Sequence, residues 1–262
     1  KTLSKQADWM VKNLLKLEGD WITHIVAPEQ SAGIKGDPRD LILFAESADE
    51  ERREIGISCK KDSTEVKSLR LGEGNVEQLW FKHHQGRGVV GQYETTKHFR
   101  TALRQVHQEL EACRTLYDRF SQIPVDRAEE QIFAPAINAF CTLIKDLELA
   151  HGQSFTQDLF QSVFGTKDYY LFKSGQRAII EGYNLRGDLN IKKIPLPVRS
   201  LYLAMVDKNR SGVERYTRLF FEHGWTVSYR LKNGDSRISK SVLKFTIELV
   251  GKPSSLFRIE QL

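Results

Sequence analysis

Residues 36–70 read GDPRDLILFAESADEERREIGISCKKDSTEVKSLR, and their pattern decides the fold class. Asp40 opens an almost wholly apolar stretch over 40–46, as in a central strand covered on both faces. A polar SADEE turn follows. The next stretch, 53–60, alternates: Ile55, Ile57 and Cys59 share one face, and Glu54, Gly56, Ser58 and Lys60 share the other. The first face suits a core and the second a cleft. An antiparallel hairpin centred near residue 49 sets Asp40 opposite residues 58–60, so a carboxylate and an ammonium meet at its open end. Glu54 lies roughly 13 Å along the strand from Ser58. That is too far to share a metal ion, and Glu54 reads as a strand or surface residue.

The surroundings support a mixed α/β core. Trp9, Met10, Leu14 and Leu17 fall at helical spacing within residues 4–18. A long helix is expected over about 95–120, stopped by Pro124, and a second over about 126–149 with Pro135 as a start or kink. Ser154 can cap a shorter helix that Gly165 closes. From Asp168 onward the pattern turns to strands (DYYLFK, RAIIEGYNL, RSLYLAMV, WTVSYRLK, VLKFTIELV and LFRIE), with one short helix expected over 213–222. The organisation expected is a catalytic core over 1–94, a helical region over 95–166 and a basic, strand-rich region over 167–262, all compatible with one continuous domain.

Composition narrows the function classes. The 262 residues suffice for a sizeable core, and no apolar run reaches membrane-spanning length. Three cysteines without a zinc-type cluster point to reduced thiols and a cytoplasmic protein. The chain begins at Lys1 rather than Met, which leaves open whether an N-terminal piece is missing or trimmed. The net charge of +5 is unevenly spread: residues 1–166 carry 21 Lys/Arg against 25 Asp/Glu, and residues 167–262 carry 18 against 9. A basic C-terminal third fits double-stranded DNA, whose neutralised phosphates release counterions; a solvated basic surface is the plain alternative.

The hairpin's open end has the composition of a metal-dependent phosphodiesterase. A hard cation such as Mg2+ takes carboxylate and carbonyl oxygens and keeps several waters. Asp40 offers the carboxylate and the Cys59 backbone the carbonyl. Lys60 is placed to position a water or neutralise charge developing on phosphorus. Ser58 stands where a second acid is usual, so another carboxylate is expected from elsewhere. Glu18, at the end of the first helix, is the first candidate, with Glu65 and Glu73 as alternatives.

These residues resemble the PD-(D/E)xK nuclease superfamily, and within it the HaeIII family of type II restriction endonucleases. GDPRDLIL, EIGISCKK and VKSLRL resemble the family's aspartate strand, its strand ending in S-x-K and the basic segment after it. LEG at 17–19, WF at 80–81, AFCTLIKDL, YNLRGDLN, HGWTVSYRLKN and LKFTIELVGKPSS extend the match over most of the chain. The resemblance implies a restriction-endonuclease-like mixed-sheet core, Mg2+-dependent cutting of both strands at a short palindrome (GGCC in the family), and a cognate cytosine methyltransferase. It carries Asp40 and Lys60 over as catalytic residues and accepts serine at position 58. The chain departs from the family at Lys61, Asp62, Ser63 and Thr64, where a histidine-rich stretch is usual, and in a longer segment over 82–125.

A palindromic site calls for a homodimer. Base reading requires forked donors and acceptors, and phosphate contacts require cations. The candidates are Asn184 and Arg186 in YNLRG, Arg230, Lys232 and Asn233 in YRLKN, and Lys61, Lys67 and Arg70 beside the hairpin. A binder of the same fold without cleavage and a repair-type nuclease remain open alternatives. Residues 86–91 match G-x-G-x-x-G without the strand and helix that nucleotide binding needs, and His83-His84 reads as a polar loop.

Overall fold

The computed structural model describes residues 2–19, 21–28, 37–46, 52–61, 65–71, 93, 96–197, 200–208, 214–239 and 242–261. Residues 62–64, 80–81, 83–84 and 86–91, and Glu73, lie outside them, and with them the features read there from sequence. The chain divides into two units that interleave in sequence. One comprises Lys1–Thr64, Phe164–Leu196 and Lys252–Leu262; the other comprises Glu65–Val163 and Pro197–Gly251. The C-terminal strands are shared between them.

The first unit is a six-stranded mixed sheet under one helix. Helix α1 (Thr2–Glu18) precedes β1 (Trp21–Val26), β2 (Leu41–Glu46) and β3 (Arg52–Lys61). The sheet is completed by β5 (Tyr169–Ser174), β6 (Ile179–Tyr183) and β11 (Phe257–Glu260), in the order β1-β2-β3-β5-β6-β11. The hairpin forms as its pattern predicts: β2 and β3 are antiparallel, with Leu41 opposite Ile57 and Glu46 opposite Arg52, a register centred on residue 49. Strand β5 joins β3 in parallel. Met10 and Leu14 of α1 pack on Leu43, Ala45, Ile55, Ile57, Tyr170, Phe172 and Ile180, which removes one sheet face from water. The face bearing Ser58 and Lys60 is the other one. Gly19, in the left-handed region at φ 70°, ends α1 and fixes where Glu18 sits.

The second unit is an antiparallel sheet of order β4-β10-β9-β8-β7. Its strands are β4 (Glu65–Arg70), β7 (Ser200–Lys208), β8 (Glu214–Phe221), β9 (Thr226–Asn233) and β10 (Leu243–Gly251). Helix α2 (Lys97–Leu116) is capped by Thr96, whose hydroxyl accepts from the Phe99 N–H. Helix α3 (Ala134–His151) lays Phe140 against Tyr229 and Phe245, with ring centroids 5.2 and 4.5 Å away. A π turn over Glu129–Phe133 comes just before Pro135, which has no N–H for the carbonyl four residues back. The last helix, α4 (Gln153–Phe164), ends at Gly165 as expected. Ser154 does not cap it in the expected way: its hydroxyl donates to the His151 carbonyl.

The helix expected over 213–222 is corrected to strand β8. Val213, Tyr216, Thr217 and Phe220 fall at helical spacing, but Thr217, Leu219 and Phe221 also alternate. The alternating set is the one buried.

Candidate active site

The open end of the β2–β3 hairpin gathers Asp40, Ser58, Cys59 and Lys60. The ladder runs one residue past β2, because the Asp40 N–H donates to the Ile57 carbonyl at 2.7 Å. Asp40 therefore stands opposite Ser58. Its Oδ2 accepts from the Ser58 hydroxyl at 3.1 Å and from the Cys59 backbone N–H at 2.5 Å. Ser58 is buried, so the position where an acid is usual instead holds a donor that clamps the one carboxylate present. Asp40 itself is exposed, and its Oδ1 has no hydrogen bond among the described residues. Lys60 is half-buried and makes no ion pair among the described residues. Cys59 is exposed overall, yet desolvation of its thiol, then the Asp40 charge, raises its pKa, so it stays protonated near neutral pH.

A charge network that sequence reading missed supports this corner. Arg39 is buried on the Ser58 face. It donates to Asp37 at 2.6 and 2.8 Å and to Glu54 at 2.7 Å. Burial opposes its charge, but the hydrogen bonds and charges of Asp37 and Glu54 outweigh that, and its pKa is raised. The Arg39 stem crosses directly over Gly56: a Cβ there would lie 2.2 Å from the Arg39 Cδ. Glycine at 56 is thus what lets Arg39 brace the strand between Glu54 and Ser58. The i, i+2 pairing of Asp37 with Arg39 is a signal the sequence contains, but the role of Glu54 depends on strand register.

Glu18 is not brought to Asp40. It lies on the α1 side of the sheet, 3% exposed and 2.7 Å from Arg53. The Tyr170 hydroxyl donates to it, as does the Asn190 backbone N–H at 3.3 Å. Burial and then this acceptor push the Tyr170 hydroxyl pKa up, so the phenol remains a donor. Arg53 and Ser58 stand five positions apart on β3 and point to opposite faces. The expectation of Glu18 as second metal carboxylate is corrected on that ground: its charge is consumed in locking α1 to β3. Glu65 begins β4 in the second unit. Among the described residues, no group of three or more His, Cys, Asp or Glu could cage a metal.

Asn184 also differs from expectation. It is buried, and its amide donates to the Leu189 and Ile191 carbonyls while accepting from the Leu189 N–H. Asp168 accepts the backbone N–H groups of Leu185, Arg186, Gly187 and Asp188. The YNLRG motif is therefore a tied loop, with Asn184 holding it from inside and only Arg186 of the two candidates exposed. It follows β6 at the Tyr169 and Gly56 end of the sheet, whereas Lys60 pairs at the Lys173 end.

The second unit assembles a basic sheet face. In β9, Val227, Tyr229 and Leu231 are buried, so Arg230 and Lys232 point the other way. Cross-strand partners share a face: Tyr216 stands opposite Arg230, and Lys244 opposite Lys232. Arg70 pairs with Lys244, while Lys67 pairs with the buried Ile247, out of phase with Arg70. The Arg230 guanidinium lies over the Tyr216 ring, 5.5 Å from its centroid. Asn233 closes the β9–β10 turn by donating to the Asp235 carbonyl. For Lys61, the structure gives only its place, at the end of β3 opposite Ser174.

Comparison with known families adds one finding. A family model described as HaeIII restriction endonuclease matches residues 1–253. No curated protein matches the chain at a significant level.

Proposed function

The chain belongs to the HaeIII restriction endonuclease family, and from that premise we propose that it cuts both strands of a short palindromic DNA site, GGCC or a close variant, at the Asp40–Lys60 corner. Membership in itself makes the protein a DNA-cleaving hydrolase of the restriction type, with an α/β restriction-endonuclease-like core. The observation that carries the site assignment is the Asp40 carboxylate, clamped on one oxygen by Ser58 and Cys59, open on the other, and beside a lysine with no ion pair among the described residues.

The donors at this corner fit Mg2+. They are hard oxygens, and a single carboxylate suits an ion that keeps waters and takes phosphate oxygens from its substrate. Asp40 Oδ1 and the Cys59 carbonyl would hold it; the protonated Cys59 thiol offers no soft ligand. Bound there, Mg2+ would acidify a water and stabilise charge on the phosphoryl oxygens. The chain's own work is positional. Ser58 and the Cys59 N–H hold one carboxylate oxygen so that the other keeps a fixed direction, and Lys60 sets its ammonium against the phosphate oxygen where negative charge grows.

In this reading residues 1–94 supply the chemistry, 95–166 the helical support and 167–262 most of the DNA-binding charge. Arg230 and Lys232 face the duplex, Arg70 stands in register opposite Lys244, and Arg186 is a further contact. The working unit is a homodimer in the cytoplasm beside a cognate cytosine methyltransferase. No helix among the described residues is long and apolar enough to cross a membrane. The test is digestion of plasmid DNA with Mg2+, Ca2+ or EDTA, followed by sequencing of the ends. Discrete Mg2+-dependent fragments with one common end sequence are expected. Smears or nicks would point to a repair-type nuclease, and retention without cutting to a binder.

A further inference from the structure

We propose that Lys173, held by the buried carboxylate of Glu181, is a second phosphate-binding cation beside Lys60 and grips a DNA phosphate next to the one being cut. The inference rests on the nuclease reading of the Asp40–Lys60 corner and adds to it a residue from a different strand. In the parallel β3–β5 ladder, Ser58 pairs with Leu171 and Lys60 with Lys173. Paired residues point to the same face, and neighbouring strands lie about 4.8 Å apart. The two lysine side chains therefore leave neighbouring strands on the face that carries Asp40.

Like charges at adjacent positions are unfavourable unless an anion joins them. Part of the answer is internal. Glu181, opposite Leu171 on β6, is 1% exposed and lies 3.3 Å from the Lys173 ammonium. It also pairs with Lys252 and accepts from the Tyr183 hydroxyl at 3.3 Å. Burial works to raise its pKa, but Lys252 and then Lys173 more than reverse this, so the carboxylate is held ionised. One carboxylate thus faces two lysines, and Lys60 adds a third. At this end of the face three lysines, Lys60, Lys173 and Lys252, stand against two carboxylates, Asp40 and Glu181, while the side chains of Lys173 and Lys252 remain 17% and 25% exposed.

Glu181 is not a hidden metal acid. It stands three strands from Asp40 in the same row, roughly 14 Å away, and both its oxygens are engaged. Nor does stability alone account for the cluster, since desolvating three charges gains little over an apolar packing of the same volume. What the arrangement does secure is direction: a lysine stem fixed at its head by a buried anion approaches a phosphodiester oxygen with little rotamer freedom left to lose. Glu181 is on this account a positioning residue, and Lys173 a substrate contact.

The experiment compares the full chain with Lys173→Met, Lys173→Arg and Lys252→Met. It measures equilibrium DNA binding in Ca2+ across a salt series, single-turnover cleavage in Mg2+, and thermal melting. Lys173→Met should weaken binding and flatten the slope of log affinity against log salt by about 0.9, the amount for one phosphate. Lys173→Arg should restore the slope. Lys252→Met removes the other cation on Glu181 and should lower the melting temperature while leaving the slope unchanged. Should Lys173→Met fold too poorly to measure, an unchanged slope in Lys173→Gln overturns the inference as surely. It is also overturned if Lys173→Met keeps the parent slope and rate, or if Lys252→Met loses as much. A parent chain that neither binds nor cuts DNA overturns the nuclease reading itself, which separates the two failures.

Discussion

The two sheets of this protein handle charge in opposite ways. On the first, the charged side chains flanking the Asp40–Lys60 corner are tied down: Arg39 between Asp37 and Glu54, Glu18 under Arg53, and Glu181 between Lys173 and Lys252. On the second, Arg230, Lys232 and Lys244 share one face, with the Tyr216 ring beneath the arginine and Glu248 further along the same face, opposite Ser228. Tied charges hold geometry and are little screened, as positioning a reacting phosphate requires. Cations on an open face give affinity that salt erodes, as holding a polyanion requires. The same residue types thus serve rigidity in one unit and attraction in the other.

That contrast can be broken or sharpened by substitution. The largest effect is expected from Lys60→Ala, which should lower single-turnover cleavage by about 100-fold to 1,000-fold, the range for removing one charge-stabilising donor. DNA binding in Ca2+ should weaken by no more than one phosphate contact, flattening the salt slope by about 0.9. Glu18→Ala should act on stability instead: the buried Tyr170 hydroxyl loses its acceptor while Arg53 keeps the Glu18 and Asp188 carbonyls, a cost of about 1–3 kcal/mol in chemical denaturation, while cleavage per folded molecule stays near the parent value. A loss of cleavage in a fully folded Glu18→Ala would return Glu18 to the active site. On the second sheet, Arg230→Ala with Lys232→Ala should flatten the salt dependence of binding by about two phosphates' worth, with saturated cleavage intact. The smallest effect belongs to Ser58→Ala. The Cys59 N–H still holds Asp40, so a loss of about 0.5–1.5 kcal/mol, roughly twofold to twelvefold in rate, is expected.

Much of the first sheet was legible in the sequence because its information is local. Alternation in 53–60 assigns the faces, and a polar turn centred on 49 sets the register that brings Asp40 to Ser58. What lies beyond the hairpin was not legible for a physical reason. Tyr169–Ser174 pairs with a strand more than 100 residues earlier, and no local pattern reports a parallel partner. The neighbours this creates, Lys173 and Glu181, were therefore invisible, as was the Arg53 partner of Glu18. Asn184 was misread because an exposed amide and an amide bonding its own loop look alike in a sequence. The family resemblance marked YNLRG without revealing whether it reads DNA or braces a loop. Glu214–Phe221 was misread because its apolar positions satisfy two periods at once, and only packing against α3 decides between them.

The central claim is that chemistry and attraction are divided, with the Asp40 corner cutting and the basic sheet holding. The most direct test measures binding and single-turnover cleavage side by side for Asp40→Asn and for the Arg230→Ala, Lys232→Ala pair. Asp40→Asn should bind DNA in Ca2+ as the parent does and fail to cut it in Mg2+; the double variant should bind more weakly yet cut at the parent rate once saturated. Cleavage by Asp40→Asn at the parent rate would contradict the account.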